Sequence, residues 1–411
     1  MENQELSKMI SYNNALKIMK ENIEISKKSE KVNIYSSYKR IISKKILSKS
    51  NSPINNISAM DGIVIFKKEL KKTNVFKVVG ESKAGNKFCT DFDKGEAKFI
   101  YTGAPVPGKN KTIIPKENYI FFEKKKLVKI TKIENKTFKR FKGEDFKKNK
   151  VCFLKNEIVK IRSMSLAKTM GLKTIDVKKK PNVYVIITGD ELITKDNPKG
   201  IIESSNEILI NMLVEKFGGN LKGTFTVKDN EKDFLSLLKN LKNYDLLITS
   251  GGISKGKYDI VKKVLKKKKL RVLFDRVAVK PGKPTTFGKL GSNKYFLGLP
   301  GNPVSCFISM LFYFSKFINC FYGINFINLK QKKMKINHMA KKNNALTNFL
   351  RISFLGKKTE KFLVYQNQDS SMQTVLKESD GIWIRKPNEK KVNKGDLCNI
   401  TVLNNSFLEE I

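Results

Sequence analysis

The sequence of 411 residues is nearly devoid of histidine and has no clustered cysteines. His338 is its single histidine, and the five cysteines lie far apart, with no Cys-x-x-Cys pair. A structural zinc site needs about four clustered ligands, so none is expected. A Ser-His-Asp or Cys-His mechanism would have to use His338 alone. Any metal should be a hard cation such as Mg²⁺ on carboxylate oxygens.

Arginine is also scarce. It supplies seven of the 82 basic residues, although the formal net charge is +44. Nucleic-acid-binding surfaces favour arginine, because its guanidinium group binds bidentately and stacks. The lysines are spread over the whole chain and accompany abundant Asn, Ile and Phe, which also have A/T-rich codons. We therefore interpret the charge as a compositional bias at exposed positions and expect no nucleic-acid partner; a polyanion-binding surface is the alternative.

Long hydrophobic runs are lacking, with one exception at residues 306–324. Lys316 interrupts that run, and the apolar portion of about ten residues is too short to span a bilayer. It predicts a buried core helix and no membrane partner. The first residues lack the apolar segment of a secretory signal. Together with the scattered cysteines, which suit a reducing compartment, this favours a cytoplasmic protein.

The hydrophobic periodicity changes along the chain and divides it into regions. Apolar spacing predicts a helix over residues 11–26. Short apolar runs between Gly, Pro, Asn or Lys clusters predict mostly β structure over residues 54–145. Alternating strands, loops and helices predict a parallel α/β domain over about residues 180–329, and the tail predicts a small β-barrel or sandwich. The fold class is therefore α/β and β multidomain.

Two polar loops follow predicted strands of the α/β domain, where ligands bind in such folds. The first, TGDEL at residues 188–192, places Asp190 and Glu191 side by side. It is either a ligand or metal site or an acidic helix start. The second, SGGISKGKYD at residues 250–259, has paired glycines that would let backbone amides approach a phosphate. Asp259 could reach a metal near it, and an ordinary strand-to-helix turn is the alternative.

Two further loops combine proline and glycine with polar side chains. KPGKP at residues 280–284 is a rigid loop that holds Lys280 and Lys283 close together, which suits a phosphate or an oxyanion. In so lysine-rich a chain, two neighbouring lysines also arise by chance. GLPGNPVS at residues 298–305 joins a strand to an apolar helix that Asn302 caps and Pro303 begins. Amide groups at this helix start, with Ser305, could bind an anion.

The β-rich region adds three tight turns with acids or hydroxyls. They are SAMDG at residues 58–62, IYTGAPVPG at residues 100–108, and Gly143-Glu144-Asp145 shortly after Arg140. Singly, each such residue is more often part of a turn than a ligand.

In this order and spacing, the motifs resemble the MoeA family of molybdopterin molybdenumtransferases, which includes the E-domain of gephyrin. The resemblance covers nearly the whole chain. Its motifs are SYNNALKI, SAMDG, IYTGAPVPG, RFKGED, TGDEL, SSNEILINML, SGGISKGKYD, AVKPGKPTTFGKL, GLPGNPVS, LRISF and QDSSMQTVLKESDG.

The resemblance implies an elongated subunit of four domains. They are a discontinuous N-terminal domain (residues 1–50 and 146–178), an inserted β-rich domain (51–145), an α/β molybdopterin-binding domain (179–329) and a C-terminal β-barrel (330–411). It also implies a homodimer, with the active cleft between the α/β domain of one subunit and the β-rich and C-terminal domains of the other.

The implied reaction is the last step of molybdenum cofactor biosynthesis. Molybdate is inserted into adenylylated molybdopterin, AMP is released, and a divalent cation, Mg²⁺, is required. The implied partners are molybdopterin adenylyltransferase and proteins that mature molybdoenzymes.

The resemblance also assigns roles to residues. The expected catalytic residues are Asp61, Thr102, Asp145, Glu191, Asp259, Lys280 and Lys283, and the expected metal ligands are Asp190, Glu191 and Asp259. The expected substrate-binding residues are Asp190, Asp229, Ser250, Gly251, Gly252, Ser254, Pro300, Gly301, Asn302, Pro303, Ser305, Arg351 and Ser370.

The chain departs from the family pattern at several positions. The departures are Ile63-Val64, Lys109-Asn110, Asn230, Lys255 and Lys257. None of them removes an expected catalytic residue. Two alternatives remain: a scaffold or binding protein of the same fold without activity, and a molybdopterin adenylyltransferase. The latter would be one short domain with a GGTG loop, whereas this loop is GGIS.

Overall fold

A computed structural model of the chain describes residues 9–86, 89–189, 192, 203–228, 230–251, 260–356 and 360–403. The chain divides into two compact units. One comprises Met1–Ser29 and Lys178–Ile411, and the other Glu30–Val177. The division into four domains stays a prediction.

The first helix, α1 (Tyr12–Asn22), lies within the range predicted for it. Ser11 caps it, since its hydroxyl accepts a hydrogen bond of 3.2 Å from the amide of Asn14. Ala15 and Met19 form the buried face. The helix ends four residues before the predicted boundary, because Ile23 adopts an extended conformation.

The Glu30–Val177 unit is built around a six-stranded sheet, which confirms its predicted β character. The strand order is β7-β4-β6-β5-β9-β8, and every pair is antiparallel except β5–β6. Its strands are β4 (Gly62–Phe66), β5 (Val75–Ser82), β6 (Glu96–Ile100), β7 (Lys111–Pro115), β8 (Tyr119–Phe122) and β9 (Leu127–Ile130). Both faces carry apolar clusters, one around Ile63 and Phe76 and the other around Val64 and Ile113.

Short elements complete this unit. Two-stranded sheets pair β1 with β12, β2 with β11 and β3 with β10. These strands are β1 (Ser29–Asn33), β2 (Ile46–Leu47), β3 (Ile57–Ser58), β10 (Lys139–Arg140), β11 (Val151–Phe153) and β12 (Thr174–Lys178). Helix α2 spans Ile161–Thr169, and 3₁₀ turns span Ile34–Ser36, Lys67–Lys71, Lys116–Asn118 and Glu123–Lys125.

The α/β part of the other unit has a six-stranded sheet in the order β14-β13-β15-β19-β18-β16. Its elements are β13 (Asn182–Thr188), α3 (Ser205–Lys216), β14 (Asn220–Val227), α4 (Glu231–Asn240), β15 (Leu246–Ser250), α5 (Ile260–Lys267), β16 (Arg271–Asp275), β17 (Val279–Lys280), β18 (Thr286–Lys289) and β19 (Tyr295–Leu299); β17 belongs to the barrel sheet below.

The sheet is parallel only in part. Strands β14, β13, β15 and β19 pair in parallel, whereas β18 runs the opposite way and pairs antiparallel with both β19 and β16. The connection from β18 to β19 is too short for the crossover that a parallel pair requires. The prediction of a parallel sheet therefore holds for four strands and fails at one edge.

The apolar run at residues 306–324 lies in one continuous helical segment. It consists of α6 (Pro303–Ser309), a π-helical turn (Met310–Phe314) and α7 (Ser315–Tyr322). By length and composition, Pro303–Tyr322 could cross a membrane, but 78% of the apolar window is buried inside the protein. The predicted buried core helix is confirmed.

The tail forms a closed five-stranded barrel, as predicted. Its strands pair in the ring β21-β22-β20-β24-β23-β21. They are β20 (Gln331–Ile336), β21 (Thr347–Phe354), β22 (Lys361–Val364), β23 (Gly381–Arg385) and β24 (Leu397–Val402), with α8 (Gln373–Glu378) between β22 and β23. The two residues of β17, well upstream in sequence, join this sheet parallel to β21.

Not every lysine is at the surface, which the compositional interpretation did not foresee. Lys98, Lys111 and Lys178 are buried. The ammonium group of Lys111 lies between the rings of Phe66 and Phe92, 2.9 and 3.8 Å from their centroids. Asp91 neutralises it at 2.7 Å.

Candidate functional site

The carboxyl ends of β15 and β19 lie side by side and bring two of the predicted loops together. Ser250 and Leu299 are paired in the parallel register. The hydroxyl of Ser250 is buried; it accepts a hydrogen bond of 2.9 Å from the amide of Asn206 and donates one of 3.3 Å to the carbonyl of Pro300. These interactions are with the protein itself, and they use the Ser250 hydroxyl to join two loops.

Gly251 allows this close arrangement. Its φ is +88°, and a β-carbon there would lie 2.2 Å from the carbonyl oxygen of Thr188 at the end of β13. No other residue type fits without a backbone shift. The first glycine of the predicted phosphate loop thus lets three strand ends converge.

Residues 280–284 form a fixed turn, here called the lysine loop. The hydroxyl of Thr285 donates a hydrogen bond of 2.7 Å to the carbonyl of Gly282 and lies 2.9 Å from the hydroxyl of Ser309. The carbonyl of Lys283 accepts a hydrogen bond from the amide of Val277. Gly282 has a φ of +106°. These contacts therefore account for the predicted rigidity of the loop.

A cleft of about 940 Å³ lies between the lysine loop, the turn after β19 and the barrel. The turn, residues 300–303, is called the proline loop, and residues 365–372 of the barrel are called the barrel loop. The lining residues are Gly251, Val279, Lys280, Pro281, Gly282, Lys283, Pro284, Pro300, Gly301, Asn302, Ser305, Asn344, Leu346, Gln366, Gln368, Asp369 and Ser370. The structure thus gathers both predicted lysines and the predicted anion loop in one place.

The barrel loop is tied to the proline loop by two hydrogen bonds. The side-chain amide of Asn302 donates to the hydroxyl of Ser370 at 2.7 Å, and the backbone amide of Val304 donates to the carbonyl of Ser370 at 3.3 Å. Asn302 is the N-cap of α6, as predicted, but its side chain does not bond its own helix. These two hydrogen bonds therefore hold Ser370 in the wall of the cleft.

Arg351 supports the barrel loop from behind. Its side chain is fully buried, and its guanidinium group donates to the carbonyls of Asp369 (2.8 Å) and Met372 (3.1 Å). It does not line the cleft. The structure therefore gives Arg351 the role of holding the loop, in place of the expected direct contact with substrate.

Asp369 adds a carboxylate to a cleft whose other described lining residues are lysines and neutral groups. Hydrogen bonds from the hydroxyl and amide of Ser371 lower the pKa of Asp369, and the charges of Arg351 and Lys280 lower it further. Asp369 therefore remains ionised at neutral pH. The residue was part of the QDSS motif, but nothing in its local sequence marked it as a cleft residue.

Asp61 and Thr102 meet in the Glu30–Val177 unit. One carboxylate oxygen of Asp61 accepts hydrogen bonds from the amide (2.7 Å) and the hydroxyl (2.9 Å) of Thr102. These bonds lower the pKa of Asp61, with a smaller contribution from Lys116. The two turns SAMDG and IYTGAPVPG thus form one exposed acidic site. Asp145 is exposed in a turn whose amide bonds the carbonyl of Ser52.

Several expected site residues lie outside the described residues. They are Asp190, Glu191, Asp229, Gly252, Ser254 and Asp259. Within the described part of the chain, no group of three His, Cys, Asp or Glu side chains could hold a metal ion. The described walls of the cleft offer lysines, hydroxyls and the single carboxylate of Asp369.

The thiols and the histidine take no part in the cleft. Burial raises the pKa of Cys152 and Cys398 to about 11 and that of Cys306 to about 12. Protonated thiols are poor nucleophiles. His338 is not among the residues that line the cleft.

A cleft with two fixed lysines at the carboxyl edge of an α/β sheet defines a protein that binds phosphate-like oxyanions. Residues 184–319 match the family described as a probable molybdopterin binding domain, and residues 10–171 match the MoeA N-terminal region, domains I and II.

The similar proteins point to the same family as these matches. The chain is 33% identical to a molybdopterin molybdenumtransferase of Haemophilus influenzae over 306 residues, which are 73% of this chain and 75% of that protein. It is 30% identical to one of Staphylococcus epidermidis over 329 residues, 76% of each chain. A MoeA structure from Pyrococcus horikoshii shares the fold with a TM-score of 0.78 at 24% identity, and covers 96% of this chain and 99% of its own. The chain belongs to the MoeA family of molybdopterin molybdenumtransferases, and its role is in molybdenum cofactor biosynthesis.

The contact between Thr102 and Asp61 gives a testable pKa. Thr102→Val removes the hydroxyl donor and leaves the amide donor. The pKa of Asp61 should therefore rise but stay below its ordinary value, as measured by carboxyl ¹³C NMR titration. A lowered pKa stabilises the fold above the unfolded-state pKa, and this contribution is lost as the pH falls through the folded-state pKa. In the variant this contribution should accordingly be smaller, and its loss should be complete at a higher pH.

Thr73→Val is the matched control, because the hydroxyl of Thr73 bonds only backbone groups of Val75. It should leave the Asp61 titration unchanged. An unchanged titration in Thr102→Val would contradict the assigned hydrogen bond.

Proposed function

We propose that the chain catalyses insertion of molybdate into adenylylated molybdopterin with release of AMP. One observation carries the proposal: Lys280 and Lys283, the proline loop and Ser370 line a single cleft. Both substrates are anions, and the product AMP carries a phosphate. Fixed cations and hydroxyls match them.

The described residues would act by positioning and charge neutralisation. Lys280 and Lys283 place ammonium groups on a loop in which the carbonyls of Gly282 and Lys283 are already bonded, so little reorganisation is needed when charge develops on a departing phosphate. Ser305 and Ser370, which line the same cleft, add hydroxyl groups. Cleavage of the phosphoanhydride requires in-line positioning more than covalent catalysis by the protein.

We propose Mg²⁺ as the cofactor, held by Asp190, Glu191 and Asp259. The support is chemical: carboxylate oxygens are the ligands that Mg²⁺ prefers, and the chain has one histidine and no clustered cysteine. When bound, the ion would neutralise charge on phosphate oxygens.

The lysine loop gives the sharpest test of the activity. Lys280→Ala and Lys283→Ala should each lower the rate of AMP release by about a hundredfold or more, because a preorganised charge contact is lost. Purified enzyme, adenylylated molybdopterin, molybdate and Mg²⁺ suffice for the assay. Lys333→Ala, an exposed lysine of β20, is the control and should match wild type.

Two results would contradict the proposal. Full activity in both lysine variants would show that the cleft takes no part in the reaction. Binding of adenylylated molybdopterin by wild type without turnover would favour the scaffold alternative.

Metal dependence has a separate test. Chelation with EDTA should abolish AMP release and added Mg²⁺ should restore it. Glu191→Gln and Asp259→Asn should need more Mg²⁺ for half-maximal rate, since each loses a charged oxygen ligand. Glu123→Gln, in an exposed 3₁₀ turn, should behave as wild type. Unaltered activity in EDTA would refute the metal requirement.

We propose that the protein is a cytoplasmic homodimer, with molybdopterin adenylyltransferase and molybdoenzyme-maturation proteins as partners. The family resemblance supports this. Light scattering after size exclusion should give about twice the chain mass of 47.0 kDa. A mass of one chain at all concentrations would overturn the dimer.

A further inference from the structure

Asn206 connects three elements around the cleft without lining it. It is the second residue of α3, is 6% exposed, and uses both N–H groups of its side-chain amide. One bonds the hydroxyl of Ser250 at 2.9 Å and the other bonds the carbonyl of Gly301 at 2.6 Å. Its oxygen is buried and has no partner among the described residues.

Three consecutive carbonyls of the strand end and the proline loop accept hydrogen bonds. The carbonyl of Leu299 accepts from the amide of Gly251, that of Pro300 from Ser250, and that of Gly301 from Asn206. Asn206 also anchors the hydroxyl of Ser250. It therefore controls two of the three contacts.

These contacts fix where the following amides point. Both peptide bonds concerned are trans, since the cis bonds among the described residues lie elsewhere. In a trans peptide the carbonyl and the next N–H point in opposite directions. With the carbonyls of Pro300 and Gly301 held toward Ser250 and Asn206, the amides of Gly301 and Asn302 face away from them. Both residues line the cleft, and within the described part of the chain neither amide has a hydrogen-bond partner.

We infer that Asn206 is a positioning residue, which keeps the amides of Gly301 and Asn302 directed at an oxyanion in the cleft. The inference rests on the proposed function, because it takes molybdate as that oxyanion. Asn206 acts through the proline loop and does not touch the ligand.

The test measures molybdate binding directly, by equilibrium dialysis with molybdenum quantified in each chamber. Asn206→Asp keeps the side-chain shape but replaces both donors with carboxylate oxygens, which repel the carbonyl of Gly301. The dissociation constant for molybdate should rise at least tenfold. In steady-state assays the loss should appear in KM for molybdate, with kcat much less affected. A merely structural role would lower the active fraction, and hence kcat, and would leave the dissociation constant unchanged.

Asn211→Asp is the matched control on the same helix. The oxygen of Asn211 accepts a hydrogen bond from Thr224 at 2.7 Å, and aspartate preserves that acceptor. Its molybdate affinity should stay within twofold of wild type. Asn206→Ala, which removes the donors without adding charge, should weaken binding in the same direction as Asn206→Asp.

A measurement on wild type keeps the inference testable even if the variants fold poorly. Molybdate should shift the backbone amide NMR signals of Gly301 and Asn302. The absence of such shifts in a protein that binds molybdate would overturn the role of Asn206 and leave the proposed function standing, as would unchanged affinity in Asn206→Asp. If wild type does not bind molybdate at all, both fall.

Discussion

The close approach of three strand ends is the constraint on which the cleft depends. Gly251 turns beside the last residue of β13 with no room for a side chain. Only this packing lets Ser250 reach the carbonyl of Pro300 and lets Asn206 bond both loops. Ser250 and Asn206 bond other parts of the protein. The residues of the proline loop that they hold line the cleft, where a ligand would bind.

Among the described residues that line the cleft, two lysines are accompanied by one acid, Asp369. Lys280 and Lys283 would attract anions to the cleft. Asp369 lies on the same wall and remains ionised because Ser371 and Arg351 stabilise its charge. Its presence lowers the net positive charge near Lys280. An anion that binds must therefore be positioned by hydrogen bonds as well as by charge.

Sequence patterns predicted the α/β and β organisation because periodicity and glycine-proline punctuation are local signals. They also identified Lys280, Lys283 and Ser370, since each stands in a distinctive motif. The reversed direction of β18 was missed because strand direction depends on connection length and sheet order. The roles of Arg351 and Asn206 were missed because a buried polar side chain and a ligand-facing one look alike in sequence. Only their partners distinguish them.

Contacts in or next to the lysine loop, the proline loop and the barrel loop connect them to neighbouring elements of the same unit. Strand β17 carries Lys280 into the barrel sheet, Ser370 holds Asn302, and Thr285 meets Ser309 of α6. Together these contacts oppose movement of the three loops relative to one another. The opening of the cleft between these loops is thus set during folding, so that ligand binding requires little further ordering. The size of the opening, as well as its charge, becomes a criterion by which anions are selected.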